Sequence, residues 1–359
     1  MQTQRRELNF KGQNVFIGID VHLKSWTASI YTEKLFHKKF NQPPSAEVLS
    51  DYLKRNFPNA TYYSVYEAGF SGFWAHYELM KKGINNIVVN AADVPTSQKE
   101  KLHKDDKVDS LKLGRSLRNG ELNAIYIPEL ATLNERSLVR FRASVVKDMT
   151  RLKLQTKSFL YFYGINYPPQ FENRNTHWSN QFMKWLKEDV KLPYPAGQDA
   201  FNLLIRKAEE QRALLLEATR KVRELSCTKS YVHNMKLLRL IPGVGPITAI
   251  TLLTEIVDVK RFKDTDHLAS YVGLIPGRHS SGEKDKNTEM TFRGHDFIKR
   301  TLIESSWIAA RYDPALNMAY HKYVQRMEPN QAIIRIARKM LNRIYFTLKY
   351  EREYVTGTV

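Results

Sequence analysis

The stretch NVFIGIDVHLKSWTASIYTEKLFHKKF, residues 14–40, decides the fold of the first third of the chain. Its first part, VFIGID, is a short apolar run that ends in Asp20. The next part, WTASIYT, alternates between apolar and polar residues, and KLFHKKF is a third candidate strand. Alternation with a period of two residues is typical of a β-strand that buries one face. The stretch therefore predicts an antiparallel meander of three strands, with a carboxylate at the end of the first.

The residues after the meander predict a mixed α/β domain. The run ATYYSVYEAG contains Glu67 near its end, and INNIVVNAADV is a further strand. Helical patterns occur in PSAEVLSDYLKRNF, in FSGFWAHYELMKKG, which closes at Gly83, and in DSLKLGRSLRNG, which starts after Asp106. Strands that come first and then alternate with helices are typical of an α/β architecture. We assign this domain to residues 1–125.

The middle of the chain, residues 126–230, is predicted to be long and helical. Helical periodicity without proline runs from about Leu130 to Tyr163, and it resumes in FNLLIRKAEEQRALLLEATRKVRELS. The polar segment YPPQFENRNTHWSN separates the two runs. Two long helices of this kind predict a helical hairpin or coiled coil that joins two domains and serves oligomerisation.

The last domain, residues 231–359, is predicted to be mainly helical. In LLRLIPGVGPITAITLLTEI we expect a glycine-rich hairpin at Ile241–Pro246 and a helix at Ile247–Ile256. A long helical pattern follows with a break at Pro314, and AIIRIARKMLNRIYFTLKYER forms a basic closing helix. The fold class is therefore α/β in the first domain and α in the rest of the chain.

Composition narrows the class of partner. The chain has 359 residues, of which 42% are hydrophobic, and a formal net charge of +19. Such a surplus favours a polyanion, nucleic acid before a membrane surface. No run approaches ~18 continuous apolar residues and no signal peptide is expected, so no membrane partner is predicted. The single cysteine, Cys227, excludes an intrachain disulfide and argues against a cysteine-rich zinc site, which fits the cytoplasm.

Four carboxylates form the first candidate site. Asp20 and Glu67 end neighbouring predicted strands, so they should converge in space. Asp106 and Asp109 lie three residues apart, which places both on one face of a helix. Such hard oxygen ligands bind Mg²⁺ or Mn²⁺, and two ions about 4 Å apart support phosphodiester chemistry. The alternative is that all four are ordinary surface acids. His22 is expected to be an exposed loop side chain rather than a ligand.

The glycine turn in IPGVGPITA is the second candidate site. Glycines before a helix expose backbone N–H groups to a phosphate, as in helix-hairpin-helix modules. Gly243 and Gly245 would supply this contact, or they would only satisfy the geometry of the turn. A Walker lysine pattern is absent, so the sequence does not indicate binding of a nucleoside triphosphate.

The third candidate site is Ser281, which precedes Gly282 in a stretch expected to be a flexible turn. Serine is a poor nucleophile unless a base or a metal activates it. The residue is either a loop serine or a nucleophile held next to a phosphate. The nearby cations that would neutralise the phosphate are Arg278, His279, Lys284, Arg293, His295 and Lys299.

Two separate parts of the chain resemble one known family. The acid pattern and the segments IPGVGPITA, YVGLIPGRHSSGEKDKN and RGHDFIKRTLIESSWIAARYDP are similar to the DEDD transposases of bacterial insertion sequences. This is the IS110 family of bridge-RNA-guided recombinases, to which the Piv-type DNA invertases are also similar. The resemblance covers roughly residues 14–120 and 235–325. Its motifs are specific when both halves occur in this order.

The resemblance implies a RuvC-like first domain of the RNase H type. The glycine turn in IPGVGPITA adds a helix-hairpin-helix-like motif to the last domain. The metal-binding tetrad that the resemblance implies is Asp20, Glu67, Asp106 and Asp109. The resemblance also implies a serine nucleophile, which by motif match is Ser281, with Ser280 as the alternative. DNA strands would be cut and rejoined through a 5′-phosphoserine link, without ATP.

The resemblance further implies three kinds of partner. They are donor and target DNA, a structured non-coding bridge RNA, and other copies of the chain, arranged as a dimer of dimers through the long helices. The acids of one copy would then act with the serine of another. A basic run on the first long helix either lines an RNA groove or is a solvated face, and it comprises Arg140, Arg142, Lys147, Arg151 and Lys153.

The chain departs from the family's usual pattern at two places. The family commonly has Lys-Thr-Asp before the last acid pair, whereas this chain has Lys104, Asp105 and Asp106. Asp105 therefore competes with Asp106 for the third position. An alanine commonly follows the final acid, whereas this chain has Ser110.

Two other classes of function remain compatible with the residues. A structure-specific nuclease, such as a Holliday junction resolvase, would use the same acids with water as the nucleophile and would leave Ser281 without a role. A non-catalytic nucleic-acid-binding protein would tolerate the loss of Asp20 and of Ser281 alike. The covalent protein–DNA link distinguishes the recombinase from both.

Overall fold

The computed structural model describes residues 9–95, 106–281, 284–291 and 293–357, without the side chains of residues 106–108 and 277–290. The chain divides into two compact units, Met1–Ile127 and Pro128–Val359. The division of function among residues 1–125, 126–230 and 231–359 stays a prediction.

The first unit is built on a five-stranded mixed sheet. Its strands are β1 (Asn14–Val21), β2 (Trp26–Thr32), β3 (Phe36–Gln42), β4 (Thr61–Glu67) and β5 (Asn85–Val89). The order is β3-β2-β1-β4-β5, in which β1 to β3 pair antiparallel and β4 joins β1 and β5 in parallel. The predicted meander is therefore confirmed. Since β1 and β4 are parallel, their carboxyl ends meet at the same edge of the sheet.

Two helices cover one face of this sheet. Helix α1 (Ala46–Asn56) is capped by Ser45, whose hydroxyl accepts from the Val48 N–H at 3.3 Å. Helix α2 (Trp74–Lys81) is followed by Gly83 at φ +81°, the left-handed conformation that ends helices. Alternate residues of the strands pack with both helices into one apolar core that includes Ile17, Ile19, Trp26, Leu49 and Leu79.

A third helix, α3 (Asp106–Arg118), packs on β1 from the side of Gly18. A Cβ atom on Gly18 would lie 2.0 Å from the carbonyl oxygen of Ser110 and 2.3 Å from the backbone nitrogen of Gly114. Only a residue without a side chain fits such a crossing. The buried hydroxyls of Ser29 and Ser110 hydrogen-bond across the same interface at 2.8 Å. Strand and helix are thus held at backbone contact.

The second unit is mainly helical. Its helices are α4 (Leu130–Phe162), α5 (Asn180–Glu188), α6 (Pro195–Ser226), α7 (Val232–Arg239), α8 (Pro246–Ile256), α9 (Thr265–Val272), α10 (Asp296–Tyr312), α11 (Pro314–Val324) and α12 (Pro329–Tyr350). The predicted break at Pro314 is confirmed. In the described part of the chain, no helix combines the length and the apolar character that crossing a membrane requires.

The two predicted long helices, α4 and α6, run antiparallel against each other. Near one end Arg142 Nε donates to Thr219 Oγ1 at 3.2 Å, and near the other the rings of Phe159 and Phe201 stack at 5.2 Å between centroids. Helix α5 was not predicted, although its apolar residues at 182, 183, 185 and 186 have helical spacing. It closes a small core with Phe171, which belongs to the segment expected only as a polar break.

A β-hairpin interrupts the helices between α9 and α10. Its strands are β6 (Pro276–Ser281) and β7 (Lys284–Met290), which pair antiparallel with each other in a two-stranded sheet. The sequence predicted a flexible turn here, and that prediction is wrong for the backbone of Ser281. Both strands are rich in polar residues, so no apolar alternation marks them.

Candidate active site

Three of the four predicted acids meet at one edge of the sheet. Asp20 lies next to the end of β1, Glu67 is the last residue of β4, and Asp109 lies in the first turns of α3. Their residues line a common pocket of about 140 Å³. The pocket forms because the parallel strands end together and α3 crosses β1 at Gly18.

The backbone of Asp106 begins α3, three residues before Asp109. One helical turn therefore separates the two residues, as the spacing predicts. The competing residue, Asp105, lies outside the described residues, so the choice between Asp105 and Asp106 stays a prediction.

The electrostatics of the pocket disfavour a full set of carboxylate charges. Burial raises the pKa of Glu67, and the charges of Asp109 and Asp20 raise it further, while Lys112 opposes them. Like charges that are forced together favour the protonated form. A divalent cation would relieve this repulsion.

His22 lies on the rim of the same pocket. Its Nε2 is 3.0 Å from Oδ2 of Asp20, and its side chain is 47% exposed. The expectation of an exposed loop side chain holds, but the contact with Asp20 was not predicted. The histidine thus takes part in orienting this carboxylate.

The donor set fits a hard divalent cation in kind. Carboxylate oxygens are the ligands that Mg²⁺ and Mn²⁺ prefer. Among the residues whose positions are described, no group of three or more His, Cys, Asp or Glu side chains is already arranged to hold a metal ion.

The second candidate centre is the hairpin that carries the serines. Ser281 ends β6 and pairs with Lys284, and Ser280 pairs with Asp285. Gly282 lies outside the described residues. The two serines therefore stand at the far end of the hairpin, away from the strand ends that join it to α9 and α10.

Two glycines fix the base of this hairpin. Gly273 has φ +83° and Gly294 has φ +134°, and a Cβ atom on Gly294 would lie 2.5 Å from the Cα atom of Gly273. The Thr291 N–H donates to the Ile275 carbonyl at 3.2 Å beside them. The chain enters and leaves the hairpin through a backbone contact that side chains would separate.

The glycine turn before α8 contains two glycines with different environments. Gly243 has φ +88°, and a Cβ atom there would lie 2.3 Å from the carbonyl oxygen of Ser305. Gly245 is the exposed N-cap of α8, and nothing lies within 4 Å of a Cβ atom built on it. Packing therefore explains Gly243, whereas Gly245 leaves the start of the helix open to an approaching group.

The predicted cations do not all face an open surface. Arg293 is exposed and Lys299 is half-buried, while the side chains of Arg278 and Lys284 lie outside the described ones. His295 instead contacts Glu255 at 3.1 Å.

Part of the basic run on α4 is likewise engaged inside the unit. Arg140 Nε donates to Oε1 of Glu255 at 2.7 Å, and Arg142 bonds Thr219. These two arginines therefore neither line a free groove nor belong to a purely solvated helix face. Glu255 was missed from the sequence, where its one signal is a lone acid in the apolar helix ITAITLLTEI.

Two separate parts of the chain match family models of transposases. Residues 17–165 match a transposase model of the DEDD type named for IS110. Residues 235–321 match the model described as Transposase IS116/IS110/IS902 family. The first match contains Asp20, Glu67 and Asp109, and the second contains Gly243 and Ser281.

Curated relatives agree with the family models. A putative transposase of Sinorhizobium fredii is 28% identical over 282 residues, which is 79% of this chain and 66% of the relative. The transposase for insertion sequence element IS1533 of Leptospira borgpetersenii is 22% identical over 82% of this chain and 85% of its own. A pilin gene-inverting protein of Moraxella bovis is 35% identical over 36% of this chain and 41% of its own. The chain thus spans just under two thirds of the first of these relatives.

Proposed function

Because the chain belongs to the IS110 family of transposases, we propose that it is the recombinase of an insertion sequence and that it cuts and rejoins DNA through a 5′-phosphoserine link. The observation that carries this proposal is the pocket shared by Asp20, Glu67 and Asp109. Such a cluster of acids in a chain with a net charge of +19 has a direct use in phosphodiester chemistry.

In this proposal the acid pocket is the metal site of a RuvC-like domain. The residues that would hold Mg²⁺, or Mn²⁺, are Asp20, Glu67, Asp106 and Asp109. When bound, the ion supplies Lewis-acid stabilisation of charge on the phosphate oxygens. The DEDD type of the matching family model agrees with the use of a divalent metal.

The nucleophile in this proposal is Ser281, with Ser280 as the alternative. The Ser281 hydroxyl loses its proton, its oxygen forms a bond to phosphorus, and the bond from phosphorus to the 3′-oxygen breaks. The departing 3′-oxygen takes up a proton and becomes a free hydroxyl. A 3′-hydroxyl of another strand reverses these steps and releases the serine, so the exchange conserves phosphodiester bonds and requires no ATP.

The partners we propose are donor and target DNA together with a structured bridge RNA that selects both. The antiparallel pair α4 and α6 would join copies of the chain into a dimer of dimers. This assembly would act in the cytoplasm, on the nucleoid.

The phosphate contacts would come from a turn and nearby cations, namely Gly243, Gly245, Arg278, Lys284, Arg293 and Lys299. Such contacts position DNA without reading its sequence.

The test is a denaturing adduct assay on protein expressed with its native flanking DNA, so that any guide RNA is also made. Cells are lysed in detergent and DNA bound covalently to protein is measured. Wild type is expected to give an adduct that disappears in Ser281→Ala and in Asp20→Ala. Ser280→Ala is the matched control and is expected to retain it.

Two other results would redirect the assignment. Cutting without an adduct, at equal rates in wild type and Ser281→Ala, would identify a metal-dependent nuclease that uses water, as in a junction resolvase. DNA binding that survives both substitutions, with no cutting by wild type, would identify a non-catalytic binding protein.

A further inference from the structure

The side chain of Glu255, near the end of α8, is a fully buried charged group of the second unit. It has no exposed surface. Burial alone raises the pKa of this carboxyl, but hydrogen bonds from His295 and Arg140 and the charges of Arg140 and Arg136 outweigh it and bring the pKa to about 2. The group is therefore a carboxylate at every physiological pH. A buried charge of this kind persists only where its partners are fixed in place.

The cationic partners of Glu255 on α4 lie one helical turn apart. Arg140 binds both carboxylate oxygens, from Nε at 2.7 Å and from Nη2 at 2.8 Å. Arg136 Nε lies 3.2 Å from Oε2 and also donates to the Thr254 carbonyl at 3.1 Å. The carboxylate thereby locks α8 to the long helix.

The third partner of Glu255 leads directly to the serine hairpin. His295 follows Gly294 at the base of the hairpin, and its backbone N–H donates to the Tyr271 carbonyl at 2.9 Å. Its Nδ1 accepts from the Ile298 N–H at 3.4 Å, so its Nε2 donates to Oε2 of Glu255, 3.1 Å away. One imidazole therefore connects the buried carboxylate to the first turn of α10.

Glu255 also contacts the helix that precedes the hairpin, because Tyr271 lies in α9. The Tyr271 hydroxyl donates to the backbone carbonyl of Glu255 at 3.3 Å. Gly273, two residues after Tyr271, makes the backbone contact with Gly294. The segments before and after the hairpin are thus both hydrogen-bonded to Glu255, through Tyr271 and His295.

From these contacts we infer that Glu255, acting through His295, is a positioning residue that sets the placement of the β6–β7 hairpin and hence of its terminal serine. This inference rests on the proposed role of Ser281. His295 lies at the opposite end of the hairpin from Ser281, so the pair acts on the scaffold and does not contact the reacting phosphate.

The experiment measures hairpin placement and adduct formation separately in the full-length protein. Spin labels at Lys286→Cys on β7 and Gln331→Cys on α12, in a Cys227→Ser background, report the distance distribution between hairpin and helix. His295→Ala and Glu255→Gln are expected to broaden this distribution. Adduct formation at saturating DNA should slow at least ~10-fold with unchanged DNA affinity, since a misplacement of about 1 Å can cost on the order of 100-fold in rate.

Two variants control for a merely structural effect. His295→Gln keeps an N–H donor toward Glu255 and is expected to restore a narrow distribution and most of the rate. Glu209→Gln removes a carboxylate that pairs with Lys187 at 3.1 Å in the same unit, and it is expected to change neither readout. If Glu255→Gln does not fold, the comparison of the two His295 variants carries the test.

The outcomes separate this inference from the proposed chemistry. The positioning role is overturned if the folded His295→Ala protein has a wild-type distance distribution. It is also overturned if the distribution broadens while adduct formation keeps the wild-type rate. If wild type forms no adduct while His295→Ala broadens the distribution and His295→Gln restores it, the positioning of the hairpin stands and the serine mechanism fails.

Discussion

Gly18 of β1 and Ser110 of α3 meet backbone to backbone, because a Cβ atom on Gly18 would lie 2.0 Å from the Ser110 carbonyl oxygen. Ser110 directly follows Asp109 on α3, and Asp20 lies two residues after Gly18 on β1. The contact between Gly18 and Ser110 therefore sets the distance between Asp109 and Asp20. The acid pocket therefore depends on a glycine that carries no chemistry of its own.

Substitution Gly18→Ala is expected to destabilise the first unit by at least about 1–3 kcal/mol, since the extra methyl must displace backbone rather than a flexible side chain. It should also abolish adduct formation by moving Asp109. Thermal unfolding and the adduct assay measure the two effects. Gly69→Ala is the control for stability, because nothing lies within 4 Å of a Cβ atom there. Equal stability of the two variants would contradict the crossing described for α3.

Removal of one acid from the pocket should separate protein stability from metal binding. Glu67 has a raised pKa because of burial and the neighbouring charges of Asp109 and Asp20. Glu67→Gln removes part of this repulsion and is expected to leave the metal-free protein at least as stable as wild type. Addition of Mg²⁺ should raise the Tm of wild type and have little effect on the variant. A Mg²⁺-induced shift of equal size in both proteins would exclude Glu67 as a ligand.

The two glycines before α8 should respond differently to alanine. Gly243→Ala introduces a Cβ atom 2.3 Å from the Ser305 carbonyl at φ +88°, so we expect a loss of about 1–3 kcal/mol or more in the free energy of unfolding. Gly245→Ala meets no neighbour and should leave stability unchanged. Under the proposed phosphate contact it should weaken DNA binding.

Measurement of DNA affinity at a series of salt concentrations shows whether this turn contacts phosphate or has only a structural role. Loss of one phosphate contact lowers the affinity for all sequences alike and makes the salt dependence shallower. If Gly245→Ala binds DNA as wild type does at every salt concentration, the start of α8 does not contact phosphate.

The pKa of Glu255 predicts a specific acid response. The value is about 2 in the folded protein, compared with 4.5 as the ordinary value. Since the folded state releases this proton more readily, the ionised group stabilises the protein above about pH 4.5. This stabilisation, up to about 3 kcal/mol, is lost as the pH falls through 2.

Glu255→Gln lacks this titration and provides the comparison. The difference in the free energy of unfolding between wild type and variant should be largest near neutral pH and should shrink between pH 4.5 and 2. Urea unfolding at a series of pH values measures it. A difference that stays constant over that range would show that Glu255 does not hold its charge in the fold.

The sequence predicted the acid pocket because its signals are local. A short apolar run located β1 and a second β-type run located β4, and each carries its acid at or next to its end. The backbone contact of Gly18 with α3 could not be predicted in this way, since it joins residues more than 90 positions apart. The hydrogen bond between Ser29 and Ser110 is equally non-local, since the two residues lie 81 positions apart.

In the second unit, too, local sequence patterns predicted the helices but not the contacts between distant residues. The long helices and the break at Pro314 follow from periodicity and from proline. The hairpin that carries Ser281 has no alternation of apolar and polar residues. Its strand pairing therefore could not be predicted from a hydrophobic pattern. Glu255 is a lone acid in an apolar helix, and its meaning emerges only with Arg140 and His295 around it.

The two-stranded ladder of β6 and β7 has a consequence for hydrogen exchange. Two strands alone are marginally stable in water, whereas residues 249–256 of α8 are buried without interruption. Amides near Ser281 should therefore exchange with solvent through local opening, long before those of α8. Bound DNA should slow that exchange, because part of its binding free energy would go into ordering the strand that carries the serine.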